Sequence, residues 1–152
     1  MPTFLKTAAW KGYCKKKNRN NQTEIQGYAD SIQNTTQTNH DTSVAGSVDL
    51  GIVSWTFPED ATVPAIKQKS IDQEKISKLV IEDELADKDL TVLRRLTMTN
   101  VVIVGVQVSI GADGNGHATV TARCEKAKWE RRTPDDDYAE AEWNPNDLPD
   151  EQ

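Results

Sequence analysis

VVIVGVQVSI (Val101–Ile110), GADGNG (Gly111–Gly116) and HATVTARCEKAKWE (His117–Glu130) run consecutively, and their pattern decides the fold. Val102, Val104, Val106, Val108 and Ile110 recur at every second position, the period of a strand with one apolar face. The other face drifts from Val101 and Ile103 to Gly105, Gln107 and Ser109. Gly111 to Gly116 supplies residues that tolerate positive φ, so a turn follows. Ala118, Val120, Ala122 and Cys124 then repeat the alternation, which predicts a β-hairpin. The parity changes before Trp129, which predicts a bulge near Ala127.

Outward from this hairpin the same period recurs. Thr3 to Thr7 reads as a short strand around Phe4 and Leu5, and Glu24 to Ile32 as a strand bent near Gly27. Ser47 to Phe57 reads as one strand, with Val48, Leu50 and Ile52 on one face and Val53, Trp55 and Phe57 on the other. Lys75 to Leu85 and Leu90 to Thr99 predict two more strands, separated by Ala86 to Asp89. The Glu, Lys and Leu content of Asp72 to Asp89 offers a helical alternative there. Thr62 and Pro64 predict the cap and first turn of a short helix running to about Lys69, with Val63 and Ile66 facing the body. Many short strands and one short helix make an all-β barrel or sandwich.

Two stretches depart from this pattern. Gln33 to Gly46 is rich in Asn, Thr, Gln and Ser and nearly devoid of apolar residues. A loop of that length in a compact domain is usually functional or disordered, and a β-hairpin arm is the alternative. Thr133 to Gln152 holds eight acidic residues and no basic one. It predicts a mobile tail over 135–152 behind a domain of 1–134, unless Tyr138 and Trp143 dock on the body. Ending the chain after Thr133 is accordingly expected to leave the fold intact. Ahead of the first acid, Glu24, stand Lys6, Lys11, Lys15, Lys16, Lys17 and Arg19, so the chain has a basic front and an acidic end. Solvated ends are the plain reading of both runs.

The residues offer no catalytic constellation. His40 and His117 lie far apart, without metal-ligand spacing to Cys14 or Cys124. Asp113 and Asn115 lack the rest of a calcium loop, and Gly111, Gly114 and Gly116 precede a strand rather than a dinucleotide-binding helix. Glu59 with Asp60 and Glu82 with Glu84 read as surface pairs. Cys124 reads as a buried thiol and Cys14 as a loop cysteine. Lys15 to Lys17 beside Trp10 and Tyr13 form too small a basic patch, on an acidic protein, for nucleic-acid binding. No cofactor or metal is expected. No segment approaches the ~20 apolar residues of a membrane span. The N-terminus lacks the layout of a signal peptide, which predicts synthesis in the cytosol.

Phe4-Leu5-Lys6 followed by Lys11-Gly12, Asp60 through Pro64 to Ile66, Thr97-Met98-Thr99-Asn100-Val101, and Trp129-Glu130 with Thr133-Pro134 occur in this order. Together they resemble stretches of the Hcp proteins, the tube subunits of type VI secretion systems. Val63 stands where the family has Ser, and Arg131 and Arg132 replace a Tyr. The resemblance implies an antiparallel β-barrel of two packed sheets, flanked by an α-helix, with an extended loop arm. It implies hexameric rings closed by sheet-edge contacts and stacked into a tube, ejected when a contractile sheath shortens. The implied partners are the chain itself, sheath, spike and baseplate proteins, and small effectors in the lumen. The implied location is the bacterial cytoplasm during assembly, then the exterior or a target cell. Gln33, Asn34, Thr35, Thr36, Gln37, Thr38, Asn39, His40, Asp41, Thr42 and Ser43 match the family's arm, which reaches the neighbouring subunit and the next ring. A tail-tube protein of a contractile phage would follow the same physics. A monomeric β-sandwich that binds carbohydrate would instead use Trp10, Trp55, Trp129 and Trp143 as its stacking surface.

Overall fold

The computed structural model describes residues 2–16, 18–34, 37–38, 43–44, 48–50, 52–85 and 91–144. The chain runs β1 (Thr3–Thr7), β2 (Thr23–Ile25), β3 (Gly27–Ala29), β4 (Ile32–Asn34), β5 (Gln37–Thr38), β6 (Ser43–Val44), β7 (Val48–Leu50) and β8 (Val53–Pro58). Then come α1 (Val63–Ile71), β9 (Ile76–Glu84), β10 (Val92–Ile110), β11 (Gly116–Arg132) and β12 (Tyr138–Trp143). Glu- and Lys-rich residues 76–84 are strand, because β9 is paired on both sides and tertiary pairing outweighs helix propensity.

One antiparallel sheet, ordered β2-β1-β9-β10-β11-β8-β3, makes the body. Its first and last strands are consecutive in the chain, with Gln26 alone between them. β2 pairs with β1 and β3 with β8, and the Gln26 amide donates to the Thr56 carbonyl at 2.7 Å. The expected bend near Gly27 therefore joins the two ends of the sheet and nearly closes a barrel. The two packed sheets of the sequence expectation are two walls of this one sheet.

The interior takes the inward-facing side chains of the strands. Leu5, Leu79, Ile81, Leu96, Met98, Ile103, Val120, Val53, Trp55 and Phe57 are buried there. α1 adds Val63 and Ile66, as its spacing predicts. Thr62 is the N-cap residue, but its side chain makes no cap hydrogen bond. Asp60 instead accepts from the Thr62 amide at 2.9 Å and from its hydroxyl. Asp60 thus holds the helix entry that Thr62 was expected to hold.

β10 corrects the reading of the valine run. The two expected strands are one, and its inward parity changes twice. Leu96 and Met98 face the core, then Val101 and Ile103, then Val106 and Val108. The first change falls at Asn100, whose φ of 54° is left-handed, a conformation that Asn accepts more readily than most residues. β11 changes face at the matching place, between Ala122 and Ala127, with no slip in the ladder there. The bulge expected near Ala127 lies instead on β10. Register slips by one between Ile103 and Gly105, which leaves Val104 unpaired and turns it outward. A one-residue slip exchanges the faces of a strand, so Val102 and Val104 do not share the inward face of Val106 and Val108.

Ser47 to Phe57 also divides. Val53, Trp55 and Phe57 line the barrel, whereas β7 belongs to another ladder. Ile52, between the two, is exposed. Ala86 to Asp89 lie outside the described residues.

The acidic stretch after Pro134 departs most from its expectation. Thr133 and Asp137 close a turn, and β12 pairs with β11 from Arg132–Tyr138 to Ala127–Trp143. The Tyr138 hydroxyl donates to the Val92 carbonyl at 2.8 Å, and Trp143 packs against the core. Alternation of Tyr138, Ala139, Glu140, Ala141, Glu142 and Trp143 carries this strand, and acidity masks it. Residues 145–152 lie outside the described residues. Ending the chain after Thr133 removes β12, bares one edge of β11 and uncovers Ala127 and Trp129. It should lower stability by at least about 2 kcal/mol, the contribution of one large apolar side chain, measured as a shift of the urea midpoint.

Candidate functional site

The polar arm is a β-hairpin. β4 pairs with β7 through Ile32–Leu50, Gln33–Asp49 and Asn34–Val48, and β5 with β6 through Gln37–Val44 and Thr38–Ser43. Both ladders lie in the chain between β3 and β8, whose last pair is Ala29–Ser54, and each is a separate two-stranded sheet shifted in register. The arm is therefore an outgrowth of the strands that close the barrel. Of the residues matched to the family's arm, Gln33 and Asn34 lie in β4, Gln37 and Thr38 in β5, and Ser43 in β6. Thr35, Thr36, Asn39, His40, Asp41 and Thr42 lie outside the described residues.

The sheet keeps open edges. β9 covers β10 only as far as Val101–Ile76. From Val102 to Ile110 the far edge of β10 pairs with no strand among the described residues. The Ser70 hydroxyl donates to the Ile103 carbonyl at 3.1 Å, so α1 guards the start of this edge. Apolar side chains stand bare around it: Val104 is 47% exposed, Ile110 57% and Ile71, at the helix end, 72%. The edge of β12 away from β11 likewise meets no strand among the described residues. An unpaired edge is a template for another chain unless it is blunted.

A charged cluster lies on the outside of the barrel wall. Phe4, Glu82, Arg95, Glu130 and Glu140 are successive partners across β1, β9, β10, β11 and β12. The basic loop between β1 and β2 folds over the first of them. Arg19 is 7% exposed and pairs with Glu82 at 2.8 Å and with Glu84, which is 1% exposed. Lys16 reaches Glu84 at 3.3 Å, and Arg95 reaches Glu82 at 2.8 Å. The Arg19 guanidinium lies 4.9 Å from the Phe4 ring centre, with Lys16 at 5.3 Å. This corrects two expectations: Glu82 and Glu84 are not a surface pair, and the basic front is not merely solvated. Burial alone would push the Glu82 carboxyl up, but hydrogen bonds from Arg19 and Arg95 outweigh it and hold it below the usual glutamate range. An acid held ionised by two arginines has no proton to give, which suits a fastener rather than a catalyst.

Other candidates resolve in the same direction. Trp10 and Trp55 are buried in the core, so they offer no sugar-stacking surface. Trp129 and Trp143 are half-buried against that core, and Trp129 donates its indole N–H to Asp30. Cys124 is half-buried, and burial pushes its thiol up to about 11, which leaves it protonated and unreactive near neutrality. Asp113 spends its oxygens on the amide and side chain of Asn115 within the turn. Among the described residues no three His, Cys, Asp or Glu side chains converge as metal ligands.

The ordered motifs have physical reasons. A Cβ on Gly12 would stand 2.3 Å from the Gln22 carbonyl oxygen, so only glycine fits where the basic loop folds back on itself. Asn100 makes the turn of face in β10 and donates its amide to Glu125 at 2.9 Å. Glu130 lies 3.6 Å from Arg95, and Thr133 opens the turn into β12.

A family profile described as "Type VI secretion system effector, Hcp" matches residues 4–130. No curated protein matches by sequence. Solved structures match over nearly their whole length. Hcp1 from Salmonella typhimurium has a TM-score of 0.81 at 16% identity, covering 95% of each chain. A type VI secretion system effector from Yersinia pestis gives 0.77 at 10%, covering 93% of this chain and 98% of the other. An Hcp1 mutant from E. coli gives 0.73 at 16%, covering 93% and 97%. At these identities the structures show a shared fold.

Arg19→Met should cost about 3–5 kcal/mol near neutral pH, because Glu82 and Glu84 then stay buried without their arginine. Glu82 is depressed in the fold, so its contribution is complete above the ordinary glutamate pKa of about 4.3. It is lost as pH falls through the lower folded value. Urea unfolding across that window should show the gap between Arg19→Met and the unmodified protein narrowing with acid.

Proposed function

This chain belongs to the Hcp family of type VI secretion systems, secreted structural tube subunits rather than enzymes, and from that premise we propose that it closes into hexameric rings which stack into the inner tube. The half-open edge of β10 carries the reading. Its backbone from Val102 to Ile110 can accept a strand of another subunit, and Val104, Ile110 and Ile71 would be covered by the same contact. A head-to-tail contact of this kind, repeated around an axis, closes a ring and leaves no edge bare.

The arm is assigned to the neighbouring subunit and the next ring. It extends from the barrel seam as a polar hairpin, so it can pair through its backbone without a large apolar surface of its own. The tube is assembled in the cytoplasm within a contractile sheath on a baseplate and under a spike. Sheath contraction drives it out of the cell, with small effector proteins in its lumen.

Native mass measurement of the purified protein should give a closed ring of six, and electron microscopy should show rings. A strict monomer at high concentration overturns the reading. Deleting Thr36 to Ser43 should shorten or abolish stacked tubes while leaving the circular dichroism and melting of the barrel unchanged. Tubes of undiminished length would remove the arm from the stacking contact.

A further inference from the structure

Where β12 takes its place beside β11, the wall that faces the barrel interior carries two rows of cross-strand partners. Leu96, Trp129 and Ala141 form one, and Arg94, Arg131 and Ala139 the next, two residues along each strand. Leu96 is buried in the core, whereas Ala139 and Ala141 are exposed. The wall thus passes from large side chains on β10 and β11 to bare methyl groups on β12. A hollow of about 290 Å³ opens there, lined also by Tyr28 of β3.

The acids around this hollow are already engaged. Asp83 accepts from the Thr3 hydroxyl at 2.6 Å and pairs with Arg94 at 3.3 Å. Asp30 accepts the Trp129 indole N–H. Glu130 and Glu140 belong to the opposite face, where Arg95 and Lys128 meet them at 3.6 Å and 3.5 Å. Arg131 differs from the other bases of this wall. It donates to the Arg132 carbonyl at 2.9 Å and forms no ion pair among the described residues. A guanidinium has further N–H donors in a planar fork that matches a carboxylate. The rest of the lining is apolar in character. Trp129 has spent its only donor, so it offers ring surface alone. Burial and the nearby Asp83 push the Tyr28 phenol above its usual range, so it stays uncharged.

We propose that this hollow is a binding site for a small aromatic carboxylate, with its ring against Trp129, Tyr28 and the alanine methyls and its carboxylate on Arg131. The volume suits such a ligand. An engineered apolar cavity of about 150 Å³ takes up benzene, and roughly twice that space accommodates a ring system with its acid group. A sugar fits worse, because its hydroxyls would lie against rings and methyl groups without partners. The site is internal to one subunit and does not depend on ring formation.

Equilibrium dialysis of the full chain against naphthoate tests it, with naphthamide as the uncharged counterpart. Naphthoate should bind saturably, one molecule per chain, with a Kd of about 1 mM or tighter. Naphthamide should bind about fivefold more weakly or worse, for want of the charged hydrogen bonds. Arg131→Gln should bring naphthoate down to the level of the amide and leave the amide unchanged. Ala141→Leu fills the hollow and should abolish binding of both. Arg131 and Ala141 are both exposed, so each variant should keep the melting temperature of the unmodified protein. No saturable binding, an amide that binds as tightly as the acid, or affinity unaltered in either variant overturns the proposal. Native mass measurement reads the ring separately, so either idea can fail alone.

Discussion

Residues 23–29 hold the barrel together. This single extended stretch belongs to both ends of the sheet, through β1 on one side and β8 on the other. The Gln26 amide bridges the step between them. Strands β9, β10 and β11 lie between β1 and β8 in the sheet, and β12 branches from β11. The interior of Leu79, Ile81, Leu96, Trp55 and Phe57 exists because the sheet is bent round far enough for its first strand to meet its last. A flat sheet of the same strands would leave that parity in water.

The outer wall has a fastening of a different kind. Burial of Glu82 and Glu84 would be costly without Arg19, and burial of Arg19 would be costly without them. The basic loop is thus tied to the sheet by a set of charges that hold only as a group. Phe4, directly beneath Arg19, adds an aromatic face to the same knot. The motif Phe4-Leu5-Lys6 divides its work accordingly: Phe4 lies under the loop, Leu5 enters the core, and Lys6 faces solvent.

The sequence made strands, helix and hairpin legible because alternation is a local signal. Thr3 to Thr7 and Val63 with Ile66 needed nothing beyond their own spacing. The valine run misled because five even-numbered residues look like one face, whereas Asn100 and the slip at Val104 turn the strand over twice. The Asn of the Thr97-to-Val101 motif carried that information, but its left-handed φ is not visible in a letter. β12 was hidden by its acids, although Tyr138, Ala139, Glu140, Ala141, Glu142 and Trp143 do alternate. Glu82 and Glu84 could have been suspected from their place at the end of the strand Ile76–Glu84, but naming Arg19 as their partner required the fold. For the arm, polarity marked a special segment, and the backbone pairing of β4 to β7 supplied its form.

The arm's ladders are joined through the chain to the seam at β3 and β8, and this has a mechanical side. A pull along the arm runs along the strands and therefore across the hydrogen bonds that join them. Bonds loaded in that direction share the force and must give way together, whereas bonds peeled from one end open singly. A load taken at the arm is passed into the seam through Ala29–Ser54, Tyr28–Trp55 and Gly27–Thr56. The same few residues that shut the barrel are the anchor by which it can be towed.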